Sequence, residues 1–369
     1  MASGGRQYFI NTYINIRVIR ETHGCRVPIE WFYPGPQSIS PQVVSYMERT
    51  FANLRMIDVY AVEDMQINDV PNVSPKLRKG YPLKAFAVLL SSFKEVLFID
   101  ADSFPVENPE VAFHFPQYVS SGALFWPDLC NYYTIRPKAY DVLGMQRPPH
   151  MLILGDSEPF RWPHEHCGEN EPREFETGQF VVNKERVWMG LLMTVFINWH
   201  SGFFMNELIH GDKSTLKLGF ESTGTPYALV GKTIYLQGIA APQDPTNAQS
   251  PLFFCGSGIS QPHPITGKPL FIHRGIVKFS KWPAQDYLAF DPIPRAWTHI
   301  AQQHPKKAWG MVLRFIDGRV SEQNRPSQVW LPRPSSQHGC LYPLVSTDAK
   351  IETAPKNVRY WSYYDDCNT

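Results

Sequence analysis

The residues best suited to chemistry stand at Asp100-Ala101-Asp102, directly after the apolar run Val96-Leu97-Phe98-Ile99. A buried strand ending on two carboxylates presents them at its carboxyl end, where open α/β sheets bind ligands. Carboxylate oxygens are hard ligands that suit Mn²⁺ or Mg²⁺. A cation held there would neutralise the charge that builds on a departing nucleoside diphosphate, so that a sugar–phosphate bond can break. A second apolar run, Phe271-Ile272-His273-Arg274, ends on an imidazole, which is a fitting third ligand. The metal set expected from the sequence is therefore Asp100, Asp102 and His273.

Other clusters supply groups that a sugar transfer would use. Glu176-Thr177-Gly178-Gln179 places a carboxylate and an amide beside a glycine, able to bind sugar hydroxyls or to lie beside an anomeric carbon. Gly211-Asp212-Lys213 offers a cation for phosphate and an acid for sugar or acceptor. Lys84 is a candidate contact to diphosphate or ribose. Phe125-Trp126-Pro127-Asp128 is either an aromatic platform for a sugar ring or part of the core. Each has a plainer reading: a strand-end turn, a capped strand entry, a solvated loop. A rival chemistry also begins with Asp-x-Asp after a buried strand, that of haloacid-dehalogenase-type phosphatases. They require Thr or Val two residues past the second Asp, where this chain has Phe104, and an acid where Leu216 stands.

These groups need a scaffold, and the sequence alternates between helix and strand. Residues 8–21 carry Phe9, Tyr13, Ile16 and Ile19 at helical spacing. Residues 27–33 read as a strand closed by Pro34-Gly35-Pro36, and Ser40-Pro41 opens a helix to about residue 54. A strand over 56–62, a helix over 81–93 and a buried strand over 95–99 follow, then a strand at 175–182 and a helix at 184–199. Short strands at 233–236 and 269–273 complete the pattern. The rhythm predicts a mostly parallel sheet covered by helices. It opens on a helix preceded by Ser3-Gly4-Gly5, whereas a nucleotide-binding unit opens with a strand and a glycine turn, so the first strand is expected to be missing or the leader to be flexible.

Composition sets outer limits. With 43% hydrophobic and 14% aromatic residues the chain can bury a sizeable core. A formal net charge of +1 gives no reason to expect nucleic acid or a membrane surface as a partner. Six cysteines form no CxxC pair, which argues against a structural zinc site. The 33 prolines point to a loop-rich protein, above all in its last third. No apolar run is long enough for a membrane span, and no signal peptide is read at the start.

In order and spacing these blocks, with Gly24-Cys25-Arg26-Val27-Pro28-Ile29-Glu30 and Tyr81-Pro82-Leu83-Lys84-Ala85 ahead of them, resemble the fungal Golgi α-1,3-mannosyltransferase family of GT-A fold. The resemblance implies an α/β, GT-A-like, Rossmann-type sheet over residues 1–281, with a loop-rich C-terminal extension over 282–369. It implies a retaining transfer of mannose from GDP-mannose to a glycan acceptor, through an α linkage and with Mn²⁺ or Mg²⁺. By position, Asp100, Asp102 and His273 would hold the metal. Glu176 and Asp212 would be catalytic, and Gly4, Gly5, Lys84, Asp100, Gln179 and Lys213 would contact the donor. It also implies the Golgi lumen, with membrane attachment only through an anchor absent from this chain. Thr177 stands where the family pattern leads us to expect Ser. UDP-glucose or UDP-galactose donors, or a sugar-binding module without turnover, are the alternatives.

Overall fold

The computed structural model describes residues 8–61, 82–128, 135–148, 174–209, 211–231, 235–242, 252–273 and 340–343. Gly4, Gly5 and most of the predicted C-terminal extension lie outside them. The first helix, α1 (Phe9–Arg17), continues through a π-helical turn at Val18–Thr22, close to the predicted span. Strand β1 (Ile29–Tyr33) follows, then α2 (Pro41–Thr50). Ser40 caps α2 by accepting from the Val43 N–H at 3.5 Å, with Pro41 pre-set in the first turn. The helix stops at Thr50, short of the predicted residue 54. Asn53 takes a left-handed φ of 56°, and Leu54 begins β2 (Leu54–Asp58), parallel to β1.

After α3 (Pro82–Leu90) comes β3 (Glu95–Ile99), as predicted, leading into β4 (Ser103–Pro105). A single helical turn, α4 (Pro116–Ser121), ends at Gly122 with φ 82° and feeds β5 (Ala123–Pro127). Then follow α5 (Pro137–Val142), β6 (Phe175–Asn183), α6 (Trp188–Trp199), α7 (Ser201–Glu207) and α8 (Lys213–Ser222). With β7 (Ala228–Leu229), the main sheet runs β3-β6-β5-β7. Strand β6 is antiparallel to both β3 and β5, while β5 and β7 are parallel, so β6 alone reverses direction in this sheet.

The pleat divides the core. Leu97 and Ile99 pack to one side with Trp31, Ile16 and Met47; Val96 and Phe98 pack to the other with Leu83, Val88, Leu191 and Phe220. Burying each large side chain contributes about 1.5–3 kcal/mol. Helices α6 and α8 meet backbone to backbone. A Cβ on Gly219 would lie 2.7 Å from the Thr194 N–H nitrogen, so only glycine allows this approach and it fixes where α8 begins.

The sequence did not announce a second sheet, which is antiparallel: β8 (Tyr235–Pro242), β9 (Leu252–Pro262) and β10 (Pro269–His273) join β4 and β11 (Cys340–Pro343). Its role is to carry β10 back to β4, with His273 opposite Ser103. Among the described residues no helix is long and apolar enough to cross a membrane.

Candidate functional site

The end of β3, the start of β6, the end of β10 and the start of α8 converge on one acidic pocket. Asp100 and Asp102 form the turn from β3 into β4. The Asp100 N–H donates to the Gly178 carbonyl at 2.7 Å, and the Ser103 N–H to the Asp100 carbonyl at 3.1 Å. Because β6 runs antiparallel, Gln179 pairs with Ile99, and Glu176 and Thr177 lie beside the carboxylates. His273 arrives from the second sheet. Ligand atoms of Asp100, Asp102 and His273 lie within 4.8 Å of one another.

Around this trio the charges are paired and buried. Lys84 Nζ lies 2.5 Å from Asp100 and 2.8 Å from Asp212, and the Thr177 hydroxyl donates to Asp212 at 3.1 Å. Lys213 Nζ lies 2.6 Å from Asp128 and 3.3 Å from Glu176. His273 turns Nδ1 to Glu176 at 3.2 Å and Nε2 to Asp102 at 3.4 Å. Lys213 begins α8, where the helix dipole disfavours a cation. That cost is offset by Asp128 and Glu176, a local rule broken at a site.

Ionisation follows from these neighbours. Burial pushes Asp100 up to about 6, an effect Lys84 partly offsets and Asp102 reinforces. Burial would also raise Glu176, but Lys213, His273 and the Gly178 N–H outweigh it and hold the carboxyl well below its ordinary value. Burial would lower Lys84 and Lys213. Asp100 and Asp212 raise the first instead, and Asp128 and Glu176 the second. Glu176 and Asp102 likewise outweigh burial at His273 and raise it to about 10. Five carboxylates (Asp100, Asp102, Asp128, Glu176, Asp212) thus face three cations (Lys84, Lys213 and the protonated His273), a negative excess that a divalent cation would complement.

The donor set fits such an ion on its own terms. Two carboxylates and one imidazole are oxygen and nitrogen ligands suited to Mn²⁺ or Mg²⁺. The histidine is oriented as metal-bound histidines are, with one ring nitrogen on a carboxylate and the other toward the trio. Gly178 makes room for this: a Cβ there would lie 2.9 Å from His273 Nδ1 and 3.3 Å from Glu176 Oε1. Gly178→Ala should displace the ring and weaken Mn²⁺ binding by about 10–100-fold with the fold kept. A calorimetric titration beside a thermal melt checks both halves.

Lys84, Asp100, Asp102, Glu176, Asp212, Lys213 and His273, all named from the sequence, come together here. Gln179 is fully buried beneath them, its amide oxygen accepting from the Ser103 hydroxyl at 2.9 Å. Phe125 and Trp126 lie in β5 and are fully buried, the indole N–H donating to the Pro262 carbonyl at 2.8 Å, so they are core and not a sugar platform. Two participants escaped the sequence reading. Asp128 was noted only as the end of an aromatic motif. Asn15 of α1 donates Nδ2 to the Asp100 and Ser103 carbonyls, at 3.2 and 2.6 Å, and so clamps the turn that carries Asp100 and Asp102. Its signal was an asparagine amid isoleucines on a helix, paired four residues back with Asn11.

An α/β scaffold that gathers acids and an imidazole at a strand end defines a class of ligand-binding proteins. The comparisons narrow it. A family model described as a mannosyltransferase matches residues 1–263, and the chain belongs to that mannosyltransferase family. It is similar to the Candida albicans α-1,2-mannosyltransferases MNN24, at 25% identity over 62% of this chain and 33% of that one, and MNN22, at 27% over 64% and 42%. It is similar to Saccharomyces cerevisiae α-1,2-mannosyltransferase MNN2 at 24% identity, over 58% and 38%. The chain thus spans a third to two fifths of these relatives. Their names carry an α-1,2 linkage, which corrects the α-1,3 family named from the sequence blocks. The family match also removes the phosphatase reading. Among solved structures, galactosyltransferase LgtC aligns with a TM-score of 0.36 at 14% identity, covering 62% of this chain and 71% of that one. Mouse xyloside xylosyltransferase 1 aligns with a TM-score of 0.35 at 11% identity, covering 62% and 82%.

Proposed function

We propose that this chain is the catalytic part of a metal-dependent mannosyltransferase of GT-A type. It would take mannose from GDP-mannose and place it, through an α linkage, on a glycan in the Golgi lumen. The observation that carries the reading is the convergence of Asp100, Asp102 and His273 at the end of β3, with Lys84 beside them. Mannose follows from family membership; the guanine nucleotide and the Golgi lumen follow from the sequence resemblance.

Asp100, Asp102 and His273 Nε2 would hold Mn²⁺ or Mg²⁺, which when bound neutralises charge on the leaving diphosphate. Lys84 adds a fixed cation at the same edge, and Lys213 a second one beside Asp128 and Glu176. The buried setting strengthens these interactions relative to water. Glu176 stays ionised and is fully buried, occupied by Lys213, His273 and the Gly178 N–H. Those contacts suit holding His273 in orientation better than attacking an anomeric carbon. Asp212 uses one oxygen, Oδ2, for Lys84 and Thr177. The other can face a hydroxyl of donor or acceptor, which makes Asp212 the better candidate for direct contact.

Thermal melts with GDP-mannose, UDP-glucose or UDP-galactose, each with and without Mn²⁺, test the reading. A ligand at a hundredfold excess over Kd stabilises the folded state by about 2.7 kcal/mol. The expected result is a shift that requires Mn²⁺ and GDP-mannose together. A shift with a UDP-sugar alone would keep the transferase and discard mannose, and a flat response to every donor would favour a module that no longer binds nucleotides.

A further inference from the structure

Helix α6 is apolar on both of its sides. The inner side, with Gly190, Leu191, Thr194 and Ile197, is buried, and Gly190 and Thr194 close on Gly219 of α8. The outer side carries Trp188, Met189, Leu192 and Phe196, and Phe203 follows on α7; these five are exposed by between 37% and 60%. No Asp, Glu, Lys or Arg stands between Arg186 and Glu207. A surface helix ordinarily turns charged or polar residues outward, so one that is apolar all round is suited to being covered.

Charge, shape and area say by what. An anionic lipid surface calls for free basic residues beside the apolar face. Here they are engaged. Lys184 donates to the Leu89 and Ser91 carbonyls, Arg186 donates to those of Val119 and Ser120, and Lys94 pairs with Glu185. The stripe is also its own complement. Leu192, its least exposed member, stands at the centre, with Trp188 four residues before it and Phe196 four residues after. Residues four apart form one ridge on a helix, and the i±4 ridges of two helices pack against each other. A twofold axis through Leu192 sets Leu192 on the partner's Leu192, and Trp188 on the partner's Phe196. Area completes the case. At about 200 Å² for a large side chain, the five exposures leave roughly 500 Å² bare on one copy. Two such faces remove about 1,000 Å² from water, the size at which specific pairing begins.

We propose that the outer face of α6 is a self-association surface, on which two copies of this chain pair about a twofold axis through Leu192. The interface is at the small end for a specific one, so its Kd belongs on the order of 10 μM. No residue of the acidic pocket lies on the stripe, and each copy keeps its own site. Pairing is therefore independent of the transferase reading.

Sedimentation velocity of the full chain, from about 1 to about 200 μM and without metal or nucleotide, tests this. The expected result is a monomer that becomes a dimer across that range. Leu192→Glu and Leu192→Lys each set like charges face to face on the axis, and each alone should pair at least about tenfold more weakly than wild type. Mixed in equal amounts, the two variants should recover a one-to-one dimer. Thermal melts check that both fold. Where a charge at 192 unfolds the chain, Met189→Lys, at the most exposed position of the stripe, should weaken pairing by the same factor. A wild-type chain that stays monomeric throughout would overturn the proposal, and its capture by phosphatidylcholine vesicles would give the stripe to lipid. Dimers formed equally well by both charged variants would place pairing on another surface. A mixture that stays monomeric would remove the axis from Leu192 and overturn the proposed pairing.

Discussion

Replacing Asp102 with alanine should leave a folded protein that neither binds Mn²⁺ nor transfers mannose. The residue follows β3 in a turn and its side chain meets His273 Nε2 at 3.4 Å; it is not among the apolar layers that hold the sheet. The turn itself is secured without it, by the Asp100 N–H on Gly178 and by Asn15 on two carbonyls. Losing one of three protein ligands should cost at least about a hundredfold in metal affinity, more than loss of an outer partner does. Stability should fall by less than in Lys84→Met, because His273 keeps Glu176 as a partner when Asp102 is gone. A pH series adds a sign. In the metal-free protein the His273 proton is favoured up to about pH 10 by Glu176 and Asp102, against burial. A metal at Nε2 displaces that proton, so wild-type affinity should climb roughly tenfold per pH unit over the neutral range. An unfolded Asp102→Ala protein, or one that binds Mn²⁺ as tightly as wild type, would return Asp102 to a purely structural role.

The convergence of Asp100, Asp102 and His273 was legible because these residues follow or end apolar runs. A strand that must be buried announces where its carboxyl end lies, and residues placed there have few structural reasons to be acidic. Lys84 and Lys213 were legible as types but not as partners. Nothing in one sequence says that a lysine on α3 meets acids from β3 and α8, since that follows from how α6 packs on α8 through Gly219. Helix and strand were found where periodicity was strong, as at Glu95–Ile99, and misplaced where a turn decided, as between α2 and β2. Of the antiparallel second sheet, the strand at 269–273 was legible and that at 233–236 in part, but not their pairing. Its central strand, β9, carries Gly256, Ser257, Gly258 and Ser260 and lacks the alternation that marks a half-buried strand. Asn15 matters through its hydrogen bonds to two carbonyls and Asp128 through its ion pair with Lys213, and such local contacts leave no pattern in composition.

The largest loss of stability is expected from Lys84→Met. The ammonium sits between Asp100 and Asp212, with the Thr177 hydroxyl 3.4 Å away, and all of these groups are largely buried. Burial alone would favour a neutral amine, yet the two carboxylates outweigh it, so the lysine stays charged. Methionine keeps most of the stem packing and removes the charge, which leaves two buried carboxylates facing each other. Breaking a buried pair on one side costs about 3–5 kcal/mol. The cause can be separated from lost packing. Asp100 is an acid already raised to about 6 by burial, with Lys84 opposing that rise, so in the variant it must lie higher. An acid raised in the fold destabilises most where it is ionised in both states, and the penalty fades as pH falls toward its unfolded value of about 3.9. The deficit of Lys84→Met relative to wild type should therefore shrink from pH 7 to about pH 4, as read by denaturant melts, and Asp212→Asn in the same chain should recover part of it at pH 7. A deficit equal at both pH values would assign it to packing. No deficit at all would mean that water reaches the pair, which would leave Lys84 free to meet a phosphate.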